Sequence, residues 1–359
     1  RRRLPASIWR SLVAACPGAS AFLAVTAIYW RCAWKYGERA FRLTHLDAGH
    51  AVAAFDAAAA LDGSVIHEVD ARHSDLAGLL ALGSIEDPEA EDAVCLLALA
   101  PPDSAPVRPW RPDPREMAAL RAAPPEGEPS LTSEGHRRWP GIVAAARSSR
   151  SVGAEGESAV ARRWTWPAEV LSRDVLRRRR SRSTYGDGAL DRRTFCGLVD
   201  MVVGDAGLDL ALATLVLVHR VDGVEPGLYA ALDRGAPADR VGELRGALRP
   251  TFAWARIDAG GRGWDLVRLS AGDARAASSH LAGGQSAAGG GAFTALFLGD
   301  LGAMERRGAS AYRHLHRRSG VLGHRLYLGA EAGSLGATGL AGFFDESLRS
   351  LLGLGLAEA

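Results

Sequence analysis

The sequence predicts an α+β fold arranged as two related domains. In both halves of the chain, short apolar runs that resemble strands alternate with segments that have the hydrophobic spacing of helices. This alternation is typical of mixed α and β architectures. An internal repeat links the halves, because residues 35–63 and residues 306–334 follow one pattern. Such a repeat indicates a duplicated domain. The chain has 359 residues, which leaves room for two domains of ordinary size.

The repeat consists of an aromatic–Arg pair, a glycine eight residues after the aromatic residue, and a helix-like run of small residues. In the first copy Phe41 precedes Gly49, and the helix-like run covers residues 51–61. In the second copy Tyr312 precedes Gly320, and the run covers residues 322–332. The common spacing predicts that both copies adopt the same local structure.

The first domain is predicted over residues 1–100. Its expected elements are a helix over 7–15, a strand or helix over 21–29, a strand over 65–69, a helix over 75–82 and a strand over 93–99. Nine of the 17 prolines then fall within residues 101–129, where no hydrophobic period is visible. Residues 101–165 are therefore predicted to be a linker or a long surface excursion rich in Pro, Arg and Ala.

The second domain is predicted over residues 166–359. Its expected elements are helices over 167–179 and 191–203, a hairpin of strands over 212–220 and 228–232, a buried small-residue helix over 271–301, and a C-terminal unit over 317–356. The hairpin follows from the Val-Asp-Gly and Pro-Gly turn residues between its strands.

Composition is that of an ordinary globular protein, with 47% hydrophobic residues, 23% charged residues and a net charge of +2. This balance gives no sign of a nucleic-acid or membrane partner. The four cysteines are scattered and lack the spacing of a disulfide framework or a metal site, so we expect no metal and a cytoplasmic location. The uncharged run over residues 11–30 resembles a signal peptide or a membrane span, but its polar residues favour a buried strand or helix.

Several segments carry a resemblance to a known family. Residues 34–42 (WKYGERAFR), followed by residues 47–51 (DAGHA), resemble the characteristic segment of nitroreductase-fold proteins of the azoline-dehydrogenase (SagB-type) branch. The second half adds the Arg-Arg-Ser-Arg run of residues 179–182, the segment 219–229 and the ending 337–345. Together the similar segments extend over roughly residues 9–99 and 167–356.

The resemblance implies a nitroreductase fold in tandem form, with two copies that pair as an internal pseudo-dimer, bind FMN at their interface and also allow a homodimer. It implies that Lys35 and Tyr36 are catalytic and remove a proton while hydride passes to the flavin. Hydride transfer needs a cofactor, and a lysine can act as a base when burial lowers its pKa. The alternative is that Lys35 is a surface cation and Tyr36 a packing residue.

The basic run is the candidate phosphate site. Guanidinium groups of Arg179, Arg180 and Arg182 would bind phosphate oxygens, and Ser181 would add a hydroxyl donor. A solvated helix end and a weak nucleic-acid patch are the alternatives. Since no aromatic stacking platform accompanies the run, a nucleic-acid partner is not expected.

The C-terminal loop is the second part of the candidate cofactor site. Backbone amides at Gly336, Thr338 and Gly339 could approach a phosphate or the flavin ring, although a plain helix-terminating turn fits the same residues. Gln285, which precedes small residues, belongs to the cofactor site by the same resemblance.

Departures from the family favour a single site. The first copy is expected to be N-terminally incomplete, without the Ser/Asn-rich segment that contacts flavin in relatives. In the second copy Arg306 and Arg307 stand at the Lys-Tyr position, and Arg318 stands at the position of Asp47. The leading hypothesis is an FMN-dependent oxidoreductase that dehydrogenates an azoline-type ring in a peptide natural product. The alternative is a degenerate, non-catalytic scaffold that binds a partner protein or peptide.

Overall fold

The chain divides into two compact units in a computed structural model, which describes residues 3–87, 89–124, 126–127, 131–132, 137–150, 165–203, 212–236 and 238–355. Unit 1 consists of Arg1–Arg173 with Met304–Val321, and unit 2 of Asp174–Ala303 with Leu322–Ala359. Among the helices in the described ranges, none has the length and apolar character needed to cross a membrane.

Unit 1 contains a small antiparallel sheet. Its strands are β1 (Ala21–Ala27), β2 (Val65–Glu68) and β3 (Asp92–Ala100), with β3 in the middle. Its helices are α1 (Ala6–Ala15), α2 (Tyr29–Tyr36), α3 (Ala40–Leu61), α4 (His73–Leu79), α5 (Pro114–Ala122) and α6 (Pro140–Ser148), with a 3₁₀ turn at Gly37–Arg39. Most residues of β3 are buried, as expected for an apolar strand with neighbours on both sides. The prediction left open whether residues 21–29 form a strand or a helix; Ala21–Ala27 form β1, and Tyr29 begins α2.

Part of the predicted linker is a packed part of unit 1. Trp110, Met117 and Leu120 are buried in the same apolar core as Ile8 and Leu12 of α1. Helix α5 begins at an N-cap aspartate, whose carboxylate accepts two backbone N–H groups, followed directly by a proline. The expectation of a surface excursion is therefore corrected for these residues. The helix is too short for its hydrophobic spacing to stand out among the prolines.

Unit 2 is built on a five-stranded antiparallel sheet. Its strands are β4 (Leu212–Val218), β5 (Gly227–Asp233), β6 (Ala255–Ile257), β7 (Trp264–Ala271) and β8 (Phe293–Gly299), in the order β6-β7-β5-β4-β8. The other helices of the described residues are α7 (Arg173–Arg178), α8 (Arg192–Val203), α9 (Ala238–Ala247), α10 (Arg275–Leu281), α11 (Ser286–Gly290), α12 (Leu301–Arg307), α13 (Ser310–Ala332) and α14 (Asp345–Leu352). The parts of α12 and α13 that fall within Met304–Val321 belong to unit 1. The predicted hairpin is confirmed as β4 and β5.

The predicted long helix over residues 271–301 is wrong. The segment contains the short helices α10 and α11 and then strand β8. Between the helices, Gly283 and Gly284 have φ angles of +69° and +82°, which end a right-handed helix and favour glycine. The abundance of Ala and Gly concealed these breaks, because small residues give no clear period of either kind.

The two repeat segments form helices α3 and α13, which approach each other closely within unit 1. A Cβ atom placed on Gly49 would lie 1.9 Å from the carbonyl oxygen of Arg317, and one placed on Gly320 would lie 2.0 Å from that of Leu46. In each case the contacted residue lies three positions before the glycine of the other copy. The rings of Phe41 and Tyr312, which occupy matching positions in the repeat, are stacked with their centroids 6.2 Å apart. The contact is therefore reciprocal.

Candidate functional site

The predicted phosphate-binding run and the C-terminal loop lie side by side in unit 2. Ser181 and Ala337 form a parallel β-bridge, and the backbone N–H of Arg182 donates to the carbonyl oxygen of Ala337 at 3.1 Å. We call the group formed by residues 179–182, Tyr327 and the loop from Gly336 to Gly339 the glycine-loop site. Two segments separated by about 150 residues in the sequence thus form one local structure.

Gly336 is required by the close approach of these segments. A Cβ atom on Gly336 would lie 2.7 Å from Cγ of Arg182, which is far inside an ordinary carbon–carbon contact. Glycine at this position lets the stem of the Arg182 side chain pass directly over the loop backbone. Tyr185 packs beside it, with its Cε1 atom 3.5 Å from the same Cβ position. Burial raises the pKa of Tyr185 to about 12, so its hydroxyl stays protonated at neutral pH.

The arginines of the run differ in their hydrogen-bond partners and in their exposure. Arg180 turns its guanidinium back to donate to the carbonyl oxygens of Arg177 (2.7 Å) and Arg179 (2.9 Å). These bonds satisfy carbonyls at the C-terminal end of α7, as basic side chains commonly do at helix ends. Arg182 is exposed, and Arg179 is half-buried. Arg182 therefore has its guanidinium available to an external anion, whereas Arg180 has a structural partner.

Tyr327 connects the run to the loop, and sequence reasoning did not find it. Its hydroxyl lies 2.9 Å from Oγ of Ser181 and accepts a hydrogen bond from the backbone N–H of Gly339. The guanidinium of Arg179 lies over its ring, 5.2 Å from the centroid, within the range of a cation–π contact. The available signal was that Tyr327 is the single aromatic residue in the small-residue run 322–332.

The remaining predicted cofactor residues lie in or near the loop. Thr338 is half-buried between Ala337 and Gly339. The side chain of Gln285 donates to the carbonyl oxygens of Ala282 (2.7 Å) and Gly342 (3.1 Å). Gln285 therefore ties the turn after α10 to the segment that follows the loop.

Lys35 and Tyr36 lie in unit 1, in the last turn of α2, and both are exposed. Nζ of Lys35 is 5.1 Å from the centroid of the Tyr36 ring, which places the ammonium group in cation–π range. The burial that a lysine base would need is thus not provided by the described residues of unit 1. A cleft of about 320 Å³ in the same unit is lined by Tyr29, Trp30, Arg137 and Trp139, among others, but not by Lys35 or Tyr36.

Unit 1 also contains a buried polar network centred on Asp92. Its carboxylate accepts hydrogen bonds from the hydroxyl of Tyr29 (3.0 Å) and from Nη1 of Arg313 (2.8 Å), and it pairs with Nε2 of His73 at 2.7 Å. Burial by itself raises the pKa of Asp92, but the hydrogen bond from His73 and the charge of Arg313 bring it down to about 2. Asp92 is therefore ionised at neutral pH although its side chain is buried.

His45 is a further member of this network and contacts it through Tyr29. It is fully buried, and its Nε2 atom lies 3.2 Å from the Tyr29 hydroxyl. Burial, with the nearby charge of Arg313, lowers the pKa of His45 to about 2. Because the single hydroxyl hydrogen of Tyr29 points to Asp92, we assign the His45 proton to Nε2, where it donates to the Tyr29 oxygen. The imidazole is thus neutral and has one fixed tautomer.

The described residues include no group of three or more His, Cys, Asp or Glu side chains placed to hold a metal ion.

Comparison with known proteins places the chain by its fold. No family model matches the sequence, and no curated protein matches it. Among solved structures, the chain is similar to the crystal structure of a putative nitroreductase from Anabaena variabilis, with a TM-score of 0.65 and 21% sequence identity. The match covers 98% of this chain and 71% of that chain. The predicted α+β nitroreductase-like fold is confirmed.

Proposed function

We propose that this nitroreductase-like protein is an FMN-dependent oxidoreductase and that it dehydrogenates an azoline-type ring in a peptide natural product. The observation that carries the proposal is the glycine-loop site. There an exposed guanidinium, a serine hydroxyl and a loop backbone are held together by bridge and hydrogen-bond contacts within unit 2.

The residues of this site fit the phosphate end of FMN. Phosphate oxygens accept charge-assisted hydrogen bonds, and Arg182 with Ser181 supplies donors from one short segment. Gly336 lets the Arg182 stem lie against the loop backbone, which keeps these two groups of donors close together. When bound, FMN supplies the hydride acceptor that no side chain can provide.

Lys35 and Tyr36 are the residues to which we assign proton removal in this reaction. Removing hydride from a ring carbon leaves a proton that a base must accept. Since Lys35 is exposed, an amine at this position has to be covered by the substrate before it can act as a neutral base. The exposed ring of Tyr36 next to it would contribute to that cover.

The tandem pseudo-dimer also remains a proposal. It is supported by the reciprocal approach of Gly49 and Gly320 and by the stacking of Phe41 on Tyr312. Reciprocal contacts between matching positions are what a two-fold relation between equivalent elements produces. In this proposal the second copy serves mainly as the structural partner of the first.

A flavin-binding experiment tests the proposed function. The purified chain should take up FMN and show a flavin absorption band, and Arg182→Ala should weaken FMN binding at least about tenfold, since a charge-assisted contact is lost. Arg193→Ala is the matched control, because Arg193 is an exposed arginine of α8 outside the site. A wild-type chain that binds no FMN would exclude the enzyme proposal.

The exposed position of Lys35 favours one alternative, a non-catalytic scaffold that binds a partner protein or peptide. The scaffold hypothesis predicts that bound FMN is reduced neither by NAD(P)H nor by a thiazoline- or oxazoline-containing peptide. Flavin reduction that depends on Lys35 would contradict it.

A further inference from the structure

We propose that Tyr327 is a positioning residue that turns the hydroxyl hydrogen of Ser181 away from the protein and towards an anion bound at the glycine-loop site. This inference rests on the proposed FMN function and assigns a role to a residue outside the predicted set.

The argument starts from hydrogen-bond direction. A backbone N–H can only donate, so the contact between Gly339 and Tyr327 uses the Tyr327 oxygen as acceptor. Either hydroxyl can donate across the 2.9 Å between Tyr327 and Oγ of Ser181; because the Tyr327 oxygen already accepts from Gly339, we assign the donated hydrogen to Tyr327. Donation in this direction leaves the Ser181 hydrogen free to point elsewhere.

Burial makes the arrangement directional. Only 7% of Tyr327 is exposed, whereas Ser181 is exposed. Ser181 is the more exposed partner of this contact, so a Ser181 hydrogen that does not point to Tyr327 can point to solvent. A phosphate in front of the site would receive a donor already oriented, which reduces the ordering entropy lost on binding.

The same residue supports the neighbouring cation. The guanidinium of Arg179 lies over the Tyr327 ring, and this contact depends on the ring rather than on the hydroxyl. Tyr327→Phe keeps the ring and removes only the oxygen. The variant therefore separates orientation of Ser181 from placement of Arg179.

The test compares FMN with riboflavin, which lacks the phosphate, by fluorescence titration of the wild type, Tyr327→Phe, Ser181→Ala and the double variant. Ser181→Ala loses one hydrogen bond to a charged group and should weaken FMN binding about tenfold. Tyr327→Phe loses only the orientation of that donor and should weaken FMN binding by a smaller factor, about two- to fivefold. Riboflavin affinity should stay unchanged, and the double variant should be no weaker than Ser181→Ala. The control is Tyr229→Phe, which removes a tyrosine hydroxyl bonded to a backbone carbonyl elsewhere in unit 2.

Three outcomes would overturn the inference: FMN affinity that Tyr327→Phe leaves unchanged, equal losses for FMN and riboflavin, or additive losses in the double variant.

Thermal stabilisation by inorganic phosphate, at constant ionic strength, separates the inference from the proposed function. If the wild type binds no FMN, but phosphate stabilises the wild type and does not stabilise Tyr327→Phe, the proposed function is refuted and the inference holds. If neither FMN nor phosphate is bound, both fail.

Discussion

Replacing Gly320 by alanine should destabilise unit 1, because the position has no room for a methyl group. The added Cβ would lie 2.0 Å from the carbonyl oxygen of Leu46 and 3.0 Å from its Cα atom. Both obstacles are backbone atoms of α3, so a change of side-chain rotamer cannot relieve them. Helices α3 and α13 would have to separate by about 1 Å to restore an ordinary carbon–oxygen contact.

Two opposing effects set the magnitude. Alanine is a better helix former than glycine by about 1 kcal/mol, which favours the variant. Overpacking a close contact costs about 1–3 kcal/mol and more when backbone must move. Separating the helices also loosens the stacked rings of Phe41 and Tyr312. We therefore expect a net loss of about 1–3 kcal/mol in the free energy of unfolding.

Urea unfolding of the full chain, followed by circular dichroism, measures this loss. The control is Gly197→Ala, because Gly197 is an exposed glycine in α8 with no atom within 4 Å of its Cβ position. That substitution should stabilise by up to about 1 kcal/mol through helix propensity alone. Opposite signs for the two substitutions would separate crowding from propensity.

The reciprocal contact adds a sharper requirement. Gly49→Ala should cost about as much as Gly320→Ala, since its Cβ would lie 1.9 Å from the Arg317 carbonyl oxygen. One separation of the helices accommodates both methyl groups, so the double variant should lose less than the sum of the single losses. Strictly additive losses, or a neutral Gly320→Ala, would refute the close approach.

Three further predictions concern unit 1 and the proposed reaction. Burial lowers the pKa of His45 to about 2 and that of His314 to about 3, so the unfolded chain binds protons below pH 6.5 that the folded chain does not. Stability should therefore fall on acidification from pH 6.5, by up to about 1.4 kcal/mol per pH unit for each histidine, and urea titrations of His45→Gln should show a smaller slope. Arg313→Met should cost up to about 3–5 kcal/mol because it removes the nearer of the two arginines that pair with the buried Asp92 carboxylate, at 2.8 Å against 3.7 Å for Arg150, and adding Asp92→Asn should restore part of the loss in thermal melts. Lys35→Ala should leave FMN affinity unchanged while abolishing substrate-dependent flavin reduction, and unchanged reduction rates would contradict the assigned base.

Local signals predicted the parts of the fold that depend on neighbouring residues. The hairpin of β4 and β5 follows from two apolar runs with turn residues between them. The repeat spacing marks Gly49 and Gly320, which are the two positions where the close approach of α3 and α13 leaves no room for a side chain. The proximity of the Arg-Ser-Arg run and the glycine loop was expected from resemblance alone, because nothing in either segment indicates the other.

Contacts between distant residues could not be predicted in this way. Arg313 and Asp92 are 221 positions apart, and neither has a neighbour in the sequence that indicates a buried ion pair. Tyr327 is similar, because its role depends on Ser181, which lies 146 positions away. Trp110 lies in a proline-rich segment without a hydrophobic period. Its burial results from packing against α1, which no local sequence pattern indicates.

The second repeat copy differs from the first at positions where its arginines form ion pairs in unit 1. Arg313 matches Arg42 in the repeat and donates to Asp92 of β3, while Arg317 matches Leu46 and pairs with Glu68 of β2. Both arginines are buried, and a buried charge needs a partner of opposite charge. The first turns of α13 therefore neutralise two acidic groups of the unit 1 sheet. Packing and charge within unit 1 are therefore enough to account for Arg313 and Arg317 at these positions, and neither residue needs a role in a second site.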